Sequence, residues 1–145
     1  MRHSLLVLSL LALTAGLAQA QNLITQSLIS GNLTVTNGQT LTVNGPALPL
    51  RSGRGVGFVP AFSTTEADTS TITWKFDVSL DGSNWSTTQP LSGTSTLNGT
   101  NVVRAYLLFK PIDVDGVKEL RLARVINGGT NTVTVTAATA GILIP

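Results

Sequence analysis

The side chains that perform most acid–base, nucleophilic and zinc chemistry are nearly absent from this sequence. The 145-residue chain contains no cysteine, and its single histidine is His3. Imidazole and thiolate groups are the usual bases, nucleophiles and zinc ligands of proteins. A serine without a histidine partner lacks its usual base. The composition therefore predicts a protein that is not an enzyme and that has no catalytic residue, cofactor or transition-metal site.

Of the seven acidic side chains, those near residue 115 are candidates for binding a cation. The run Asp113-Val114-Asp115-Gly116, followed by Glu119, resembles the start of a calcium loop. Alternate carboxylates before a glycine can wrap oxygen atoms around a hard cation, but the third acidic position and the spacing to a bidentate glutamate are missing. A turn at Asp115-Gly116 explains the same residues, and it is the favoured interpretation.

A glycine-rich segment with two arginines runs over residues 51–57. Its glycines fall at alternate positions and match neither the dinucleotide-binding nor the P-loop spacing. No helix is expected after the segment, so there is no helix N-terminus to bind a phosphate. We expect a flexible loop whose Arg51 and Arg54 are candidate contacts for an acidic partner or a phosphate.

Two aromatic side chains, Trp85 and Tyr106, are candidates for stacking on a glycan or a partner. Trp85 directly follows a turn, and a tryptophan that closes its own hairpin is the more frequent arrangement. Trp74 lies in phase with Ile72 and Phe76, so we expect it in the hydrophobic core.

The elements that would position these residues are strands, because apolar residues recur with a period of two. The surest strand is 71–80, where every even-numbered residue is apolar. Residues 81–84 have turn chemistry, and 85–88 is the expected partner strand of a hairpin.

Four further segments of the body are predicted to be strands. Segment 56–63 contains Pro60, which favours an edge strand or a bulge, and segment 102–110 is apolar on both faces and is expected to be central or covered on both sides. Segment 117–126 changes phase near Ala123, as a β-bulge would cause, and segment 131–138 closes the domain. About seven or eight strands without helices predict an all-β fold, an antiparallel β-sandwich or jelly roll.

A threonine-rich segment, 21–45, is predicted to form an N-terminal β-ribbon arm. Segments 33–36 and 40–43 flank Asn37-Gly38-Gln39, which is typical of a hairpin turn; a β-solenoid cap is the weaker alternative. The candidate assembly face consists of Leu33, Val35, Leu41 and Val43. A lone hairpin is marginally stable in water, so the body or another subunit must cover this face. A Pro/Gly-rich loop, 46–55, separates the ribbon from the sandwich body, 56–145.

Residues 1–20 have the pattern of a secretory signal peptide. Arg2 precedes an apolar run over 5–17, and Ala18-Gln19-Ala20 supplies the small-x-small cleavage site. The run is shorter than the roughly 20 residues of a membrane-spanning helix. We therefore expect a secreted or cell-surface protein without a stable membrane anchor after cleavage.

One local resemblance to known families lies in residues 76–85, which read Phe-Asp-Val-Ser-Leu-Asp-Gly-Ser-Asn-Trp. The pattern Val-Ser-x-Asp-Gly-x-x-Trp resembles a hairpin of β-sandwich proteins in bacteriophage virions, and it is similar to the corresponding hairpin of discoidin-type sandwiches. Arg121, between Leu120 and Leu122, resembles a late strand of the discoidin type. The resemblance implies a β-sandwich, and a fold alone does not specify a function.

Two functions from different classes fit these observations. The favoured one is a secreted structural subunit, virion-like or cell-surface, that joins other copies of itself through its ribbon, its exposed strand edges and the apolar tail 141–145. The alternative is a secreted carbohydrate-binding module that uses Trp85 and Tyr106. The Asn-x-Ser/Thr sequons at Asn32, Asn84 and Asn98 would carry glycans in a eukaryotic secretory pathway.

Nucleic acid is not an expected partner. The formal net charge is only +2, and it falls by one when Arg2 leaves with the leader. A high isoelectric point in such a charge-poor chain does not imply a basic binding surface.

The leader generates the first prediction. The protein isolated from its native source should begin at or near Gln21 and lie outside the cytoplasm. Intact-mass spectrometry of that material checks this, and a species that retains residues 1–20 would refute cleavage.

Overall fold

The computed structural model describes residues 22–50, 54–69, 71–97, 103–104 and 107–144. The predicted signal peptide, Arg51, Asn98 and Tyr106 lie outside the described residues. Within the described residues, no helix is long and apolar enough to cross a membrane.

The described chain forms eleven strands and one short 3-10 helix, Pro111–Val114. The strands are β1 (Asn22–Ser27), β2 (Leu33–Val35), β3 (Thr40–Thr42), β4 (Leu48–Pro49), β5 (Val56–Thr64), β6 (Thr71–Ser79), β7 (Leu91–Thr96), β8 (Val103–Arg104), β9 (Leu107–Phe109), β10 (Glu119–Asn127) and β11 (Val133–Ile144). The predicted all-β antiparallel sandwich is confirmed.

The strands are divided between two antiparallel sheets. Sheet A has the order β1-β11-β5-β8, with β2 also pairing with β11 and β9 also pairing with β5. Sheet B has the order β3-β10-β6-β7, with β4 also pairing with β10. The long strands β11, β5, β10 and β6 are therefore internal, and short strands form the borders.

Aromatic side chains fill the space between the two sheets. Trp74 on β6 is fully buried and lies 5.5 Å from Phe58 and 5.6 Å from Phe62, both on β5, between ring centroids. Phe76 contacts Phe58 at 5.0 Å and Phe109 at 5.2 Å. Each of these contacts joins one sheet to the other, so the predicted core position of Trp74 is confirmed.

Two β-bulges change the phase of the long strands. The pairing of β10 with β6 shifts between Leu122 and Arg124, which confirms the bulge expected near Ala123. A second shift lies between Val135 and Ala137 of β11 and has no counterpart in the sequence predictions. It turns Ala138 into the core, where a regular alternation would have placed Ala137.

The predicted hairpin between segments 33–36 and 40–43 is wrong. Strand β2 pairs with β11 in sheet A, whereas β3 pairs with β10 in sheet B. The Asn37-Gly38 turn therefore carries the chain from one sheet to the other, with Gly38 at φ 64°. In an isolated two-stranded ribbon, the apolar face would remain in contact with water. Because β2 and β3 join different sheets, their apolar residues pack against the core instead.

The four residues of the predicted assembly face lie against the core of the same chain. Val35 is 1% exposed, and Leu33, Leu41 and Val43 are partly buried against the core cluster. Either the body or another subunit was expected to cover this face, and in the structure the sandwich of the same chain covers it. A role for these residues between subunits stays a prediction.

Two expectations about strand position in sheet A are wrong. Segment 102–110 is not central, because β8 and β9 form the border beside β5, and Leu108 is 60% exposed. Pro60 is not on an edge strand: β5 is internal and Pro60 is buried. Pro60 lies between the residues of β5 that pair with β8 and those that pair with β9, so its missing N–H interrupts neither of these two pairings.

The core predicts the outcome of one substitution. Trp74→Ala should lower the free energy of unfolding by about 3 to 5 kcal/mol, because it removes a fully buried ring that contacts both sheets. Trp85→Ala, which removes a half-buried tryptophan, is the matched control and should cost less. Chemical denaturation measures both, and equal losses would contradict the core role of Trp74.

Candidate functional site

The outer face of sheet B carries a cross-strand ion pair. The register of β6 and β10 places Asp77 opposite Arg121, and Arg121 Nη2 lies 3.0 Å from Asp77 Oδ2. Asp77 points away from the aromatic core, yet its side chain is only 6% exposed. A carboxylate so shielded from water requires partners, and Arg121 supplies two N–H donors to the same oxygen atom.

Trp85 and Gln89 complete the cover over this ion pair. The Arg121 guanidinium carbon lies 4.4 Å from the centroid of the Trp85 ring, within the range of a cation–π contact. Gln89 Nε2 donates a hydrogen bond of 3.1 Å to the second carboxylate oxygen of Asp77. We refer to Asp77, Trp85, Gln89 and Arg121 as the outer cluster.

A tight turn brings Trp85 back over the sheet. The Asp81 carboxylate accepts hydrogen bonds from the backbone N–H groups of Asn84 (2.7 Å) and Ser83 (2.8 Å). These bonds, the one from Asn84 first, hold the pKa of the Asp81 carboxyl well below its usual range. Gly82 takes a φ of 83°, which few residues other than glycine adopt.

The predicted return strand 85–88 is reduced to one bridge, between Ser79 and Trp85. The strand that follows β6 in the chain and pairs along it is β7, which begins at Leu91. The intervening loop lies on the outer face, where Ser86 bonds to Val78 through backbone and side-chain hydrogen bonds and Gln89 bonds to Asp77. Trp85 is therefore half-buried against Arg121 of the outer cluster, and it does not pack as a residue of a regular hairpin.

Two hollows in the surface meet at Trp85. One, of about 380 Å³, is lined by Val78, Leu80, Asp81, Asn84, Trp85 and Ser86. The other, of about 210 Å³, extends from Trp85 and Arg121 toward Thr42, Asn44 and Arg124. Their lining provides an aromatic edge, hydroxyl and amide groups, the Asp77 carboxylate and two guanidinium groups, a combination that suits binding.

The structure does not gather the sequence-predicted contact residues into one site. Trp85 belongs to the outer cluster, whereas Arg54 precedes β5 in sheet A and lines neither of these two hollows. Arg51 and Tyr106 lie outside the described residues. Asn32 and Asn84 are exposed, and Asn84 holds Asp81 through a side-chain hydrogen bond.

The acidic run at 113–119 forms a turn of the backbone. The Asp113 carboxylate accepts a hydrogen bond of 2.7 Å from the Lys110 N–H at the start of the 3-10 helix, and Gly116 takes a φ of 74°. Among the described residues, no group of three or more histidine or acidic side chains is arranged to hold a metal ion. The turn expected at Asp115-Gly116 is present in the structure.

The sequence did not identify Asp77, Gln89 and Arg121 of the outer cluster as site residues. It did not identify Arg124 either. Asp77 and Arg121 each occupy a polar position on a predicted strand, but they are 44 residues apart. A sequence alone does not give the register that places them opposite each other. The signal available in the sequence was that Asp77 and Arg121 carry opposite charges at outward-facing positions of their strands.

Comparison with known proteins supports the fold. No protein-family model matches the sequence, and no curated protein matches it. The structure is similar to the VP2 protein in the subviral particle of infectious bursal disease virus, with a TM-score of 0.52 and 11% identity. The match covers 87% of this chain and 33% of VP2, so the chain spans about a third of the VP2 length.

Two further solved structures are similar to this chain. VP2 in the T13 particle of the same virus matches with a TM-score of 0.52 and 13% identity, over 84% of this chain and 31% of VP2. A CBM4 structure matches with a TM-score of 0.47 and 17% identity, over 88% of this chain and 83% of that chain. The VP2 matches confirm the β-sandwich that the virion-type resemblance of residues 76–85 implied.

The outer cluster predicts a measurable coupling between its charged members. Asp77→Ala should lower the free energy of unfolding by about 1 to 3 kcal/mol, because Arg121 and Gln89 lose their shared acceptor. The double variant Asp77→Ala/Arg121→Ala should cost less than the two single variants together. Denaturation of the four proteins checks this, and strictly additive losses would show that the pair contributes nothing.

Proposed function

We propose that this chain is an exported, non-catalytic structural subunit whose copies associate through the bordering strands β7 and β9. The observation that carries the proposal is a groove between these two strands, which belong to different sheets and both lie at a border. A segment of extended chain from a second copy can bind such a border by adding a strand.

Strand β7 has little protection against this kind of pairing. Among the described strands it pairs with β6 alone. Its sequence, Leu-Ser-Gly-Thr-Ser-Thr, contains no charged residue and no proline. Proteins commonly use lysine, proline or bulges to prevent association at an exposed strand edge, so an edge without them favours a paired state.

The groove beside this edge is lined by polar groups and by apolar side chains. It has a volume of about 350 Å³ and is lined by Pro90, Leu91, Ser92, Gly93, Leu107, Leu108, Phe109 and Asp113. A Cβ atom on Gly93 would lie 2.5 Å from a methyl carbon of Leu107, so the absence of a side chain lets β9 approach β7 closely. Leu108 remains 60% exposed, and an incoming strand would bury it.

The comparisons add indirect support. VP2 is the protein of a viral particle, and it contains a sandwich of this fold. Assembly also suits a chain with no cysteine, because no disulfide stabilises it outside the cell. Export itself follows from the signal pattern in residues 1–20.

Glycan binding at Trp85 is the second candidate function. The observation that favours it is the position of this half-buried tryptophan at the meeting point of two hollows. Quenching of tryptophan fluorescence by a neutral oligosaccharide, lost in Trp85→Ala, would support this function over assembly.

The proposal predicts that a single lysine on β7 prevents association. Thr94 and Thr40 lie in one register row of sheet B, on its two opposite bordering strands. The protein should show larger species as its concentration rises. Thr94→Lys should keep it monomeric, because a lysine opposes strand addition, whereas Thr40→Lys should behave as the unmodified protein.

Analytical ultracentrifugation over a range of concentrations measures these states. Leu108→Asp, which places a charge in the groove, should act like Thr94→Lys. A protein that stays monomeric at high concentration, or equal effects of Thr94→Lys and Thr40→Lys, would overturn the proposal.

A further inference from the structure

A row of four polar side chains crosses the outer face of sheet B next to the outer cluster. The strand registers align Thr42 on β3, Arg124 on β10, Lys75 on β6 and Ser92 on β7. Side chains directly opposite each other on neighbouring strands have Cβ atoms about 5 Å apart. Two cations therefore lie side by side, with a hydroxyl group beyond each.

This arrangement of like charges costs stability in the free protein. Directly opposed like charges destabilise a sheet, and no carboxylate among the described residues forms an ion pair with Lys75 or Arg124. The nearest acidic position on the same face, Asp77, already binds Arg121 and Gln89. The positive charge of the row is therefore available to a ligand.

The acidic groups at the other end of this face are distant. Glu119 pairs in register with Ser79, four residues along β6 from Lys75, which corresponds to about 14 Å. Asp81 follows in the turn and is occupied by its hydrogen bonds to Ser83 and Asn84. Neither carboxylate neutralises the row.

We infer that this row binds an acidic polysaccharide, a sugar chain that carries carboxylate or sulfate groups. Arg124 and Lys75 would bind one anionic group between them, through charge-assisted hydrogen bonds. Thr42 and Ser92, and Asn44 in the adjoining hollow with Arg124, offer partners for the sugar hydroxyl groups. This inference is independent of the proposed self-association. It places glycan binding at the charged row and not at the Trp85 ring.

A sugar chain fits these residues better than a nucleic acid does. Nucleic acids are bound mainly by many cations along the phosphate backbone, whereas this row has two and the whole chain has a formal net charge of +2. The hydroxyl groups on both sides of the cations match a ligand rich in hydroxyl groups.

The experiment compares the affinity of the folded protein for polygalacturonate with its affinity for neutral dextran, by calorimetric titration at low and moderate salt. Polygalacturonate should bind, more weakly as salt rises, and dextran should not bind measurably. Lys75→Ser/Arg124→Ser should reduce the affinity at least about ten-fold. The matched control Lys110→Ser/Lys118→Ser removes two exposed lysines elsewhere and should change it less than about two-fold.

A second variant tests the row without any ligand. Lys75→Glu converts the like-charge pair with Arg124 into a pair of opposite charges, so the melting temperature should rise by about 2 °C while polygalacturonate binding is lost. Thr94→Lys should retain the charge of the row and still bind, which separates this inference from the proposed assembly.

Four outcomes would overturn the inference. They are no binding of polygalacturonate at low salt, equal losses in the two double variants, equally tight binding of single-stranded DNA, and a lower melting temperature of Lys75→Glu.

Discussion

The contact of Trp74 with phenylalanines of the opposite sheet is the interaction on which the rest of the structure depends. The chain has no cysteine and therefore no disulfide between the sheets, so burial of side chains is the main interaction that holds the sheets together. Trp74 and Phe76 of β6 meet Phe58, Phe62 and Phe109 of sheet A. Only 5% of the residues are aromatic, and most of them are used in these contacts.

This use of the aromatic residues determines what the surface can offer. With the large rings between the sheets, the outer face of sheet B is left with threonine, serine and a few charged side chains. Trp85 is held by Arg121, which in turn is held by Asp77. Among the described residues, the large apolar side chains that remain exposed are few: Leu80 lies in the hollow beside Trp85, and Leu108 lies at the border formed by β9.

Sequence patterns predicted local features well and pairing poorly. The alternation around Trp74 and the phase slip at Ala123 were sufficient to predict a buried strand and a bulge, because both depend on neighbouring residues. Strands β2 and β3 pair with strands that are about 100 and about 84 residues away along the chain, so a local turn signal at Asn37-Gly38 predicted the wrong pairing. The ion pair of the outer cluster was missed for the same reason.

The most direct test of the central claim is hydrogen–deuterium exchange of the protein at low and at high concentration. If copies associate through the groove, the backbone amides of β7 and β9 should exchange more slowly at high concentration, while those of β3 should not change. Added protection on β3, or no difference between the two concentrations, would contradict association at this border.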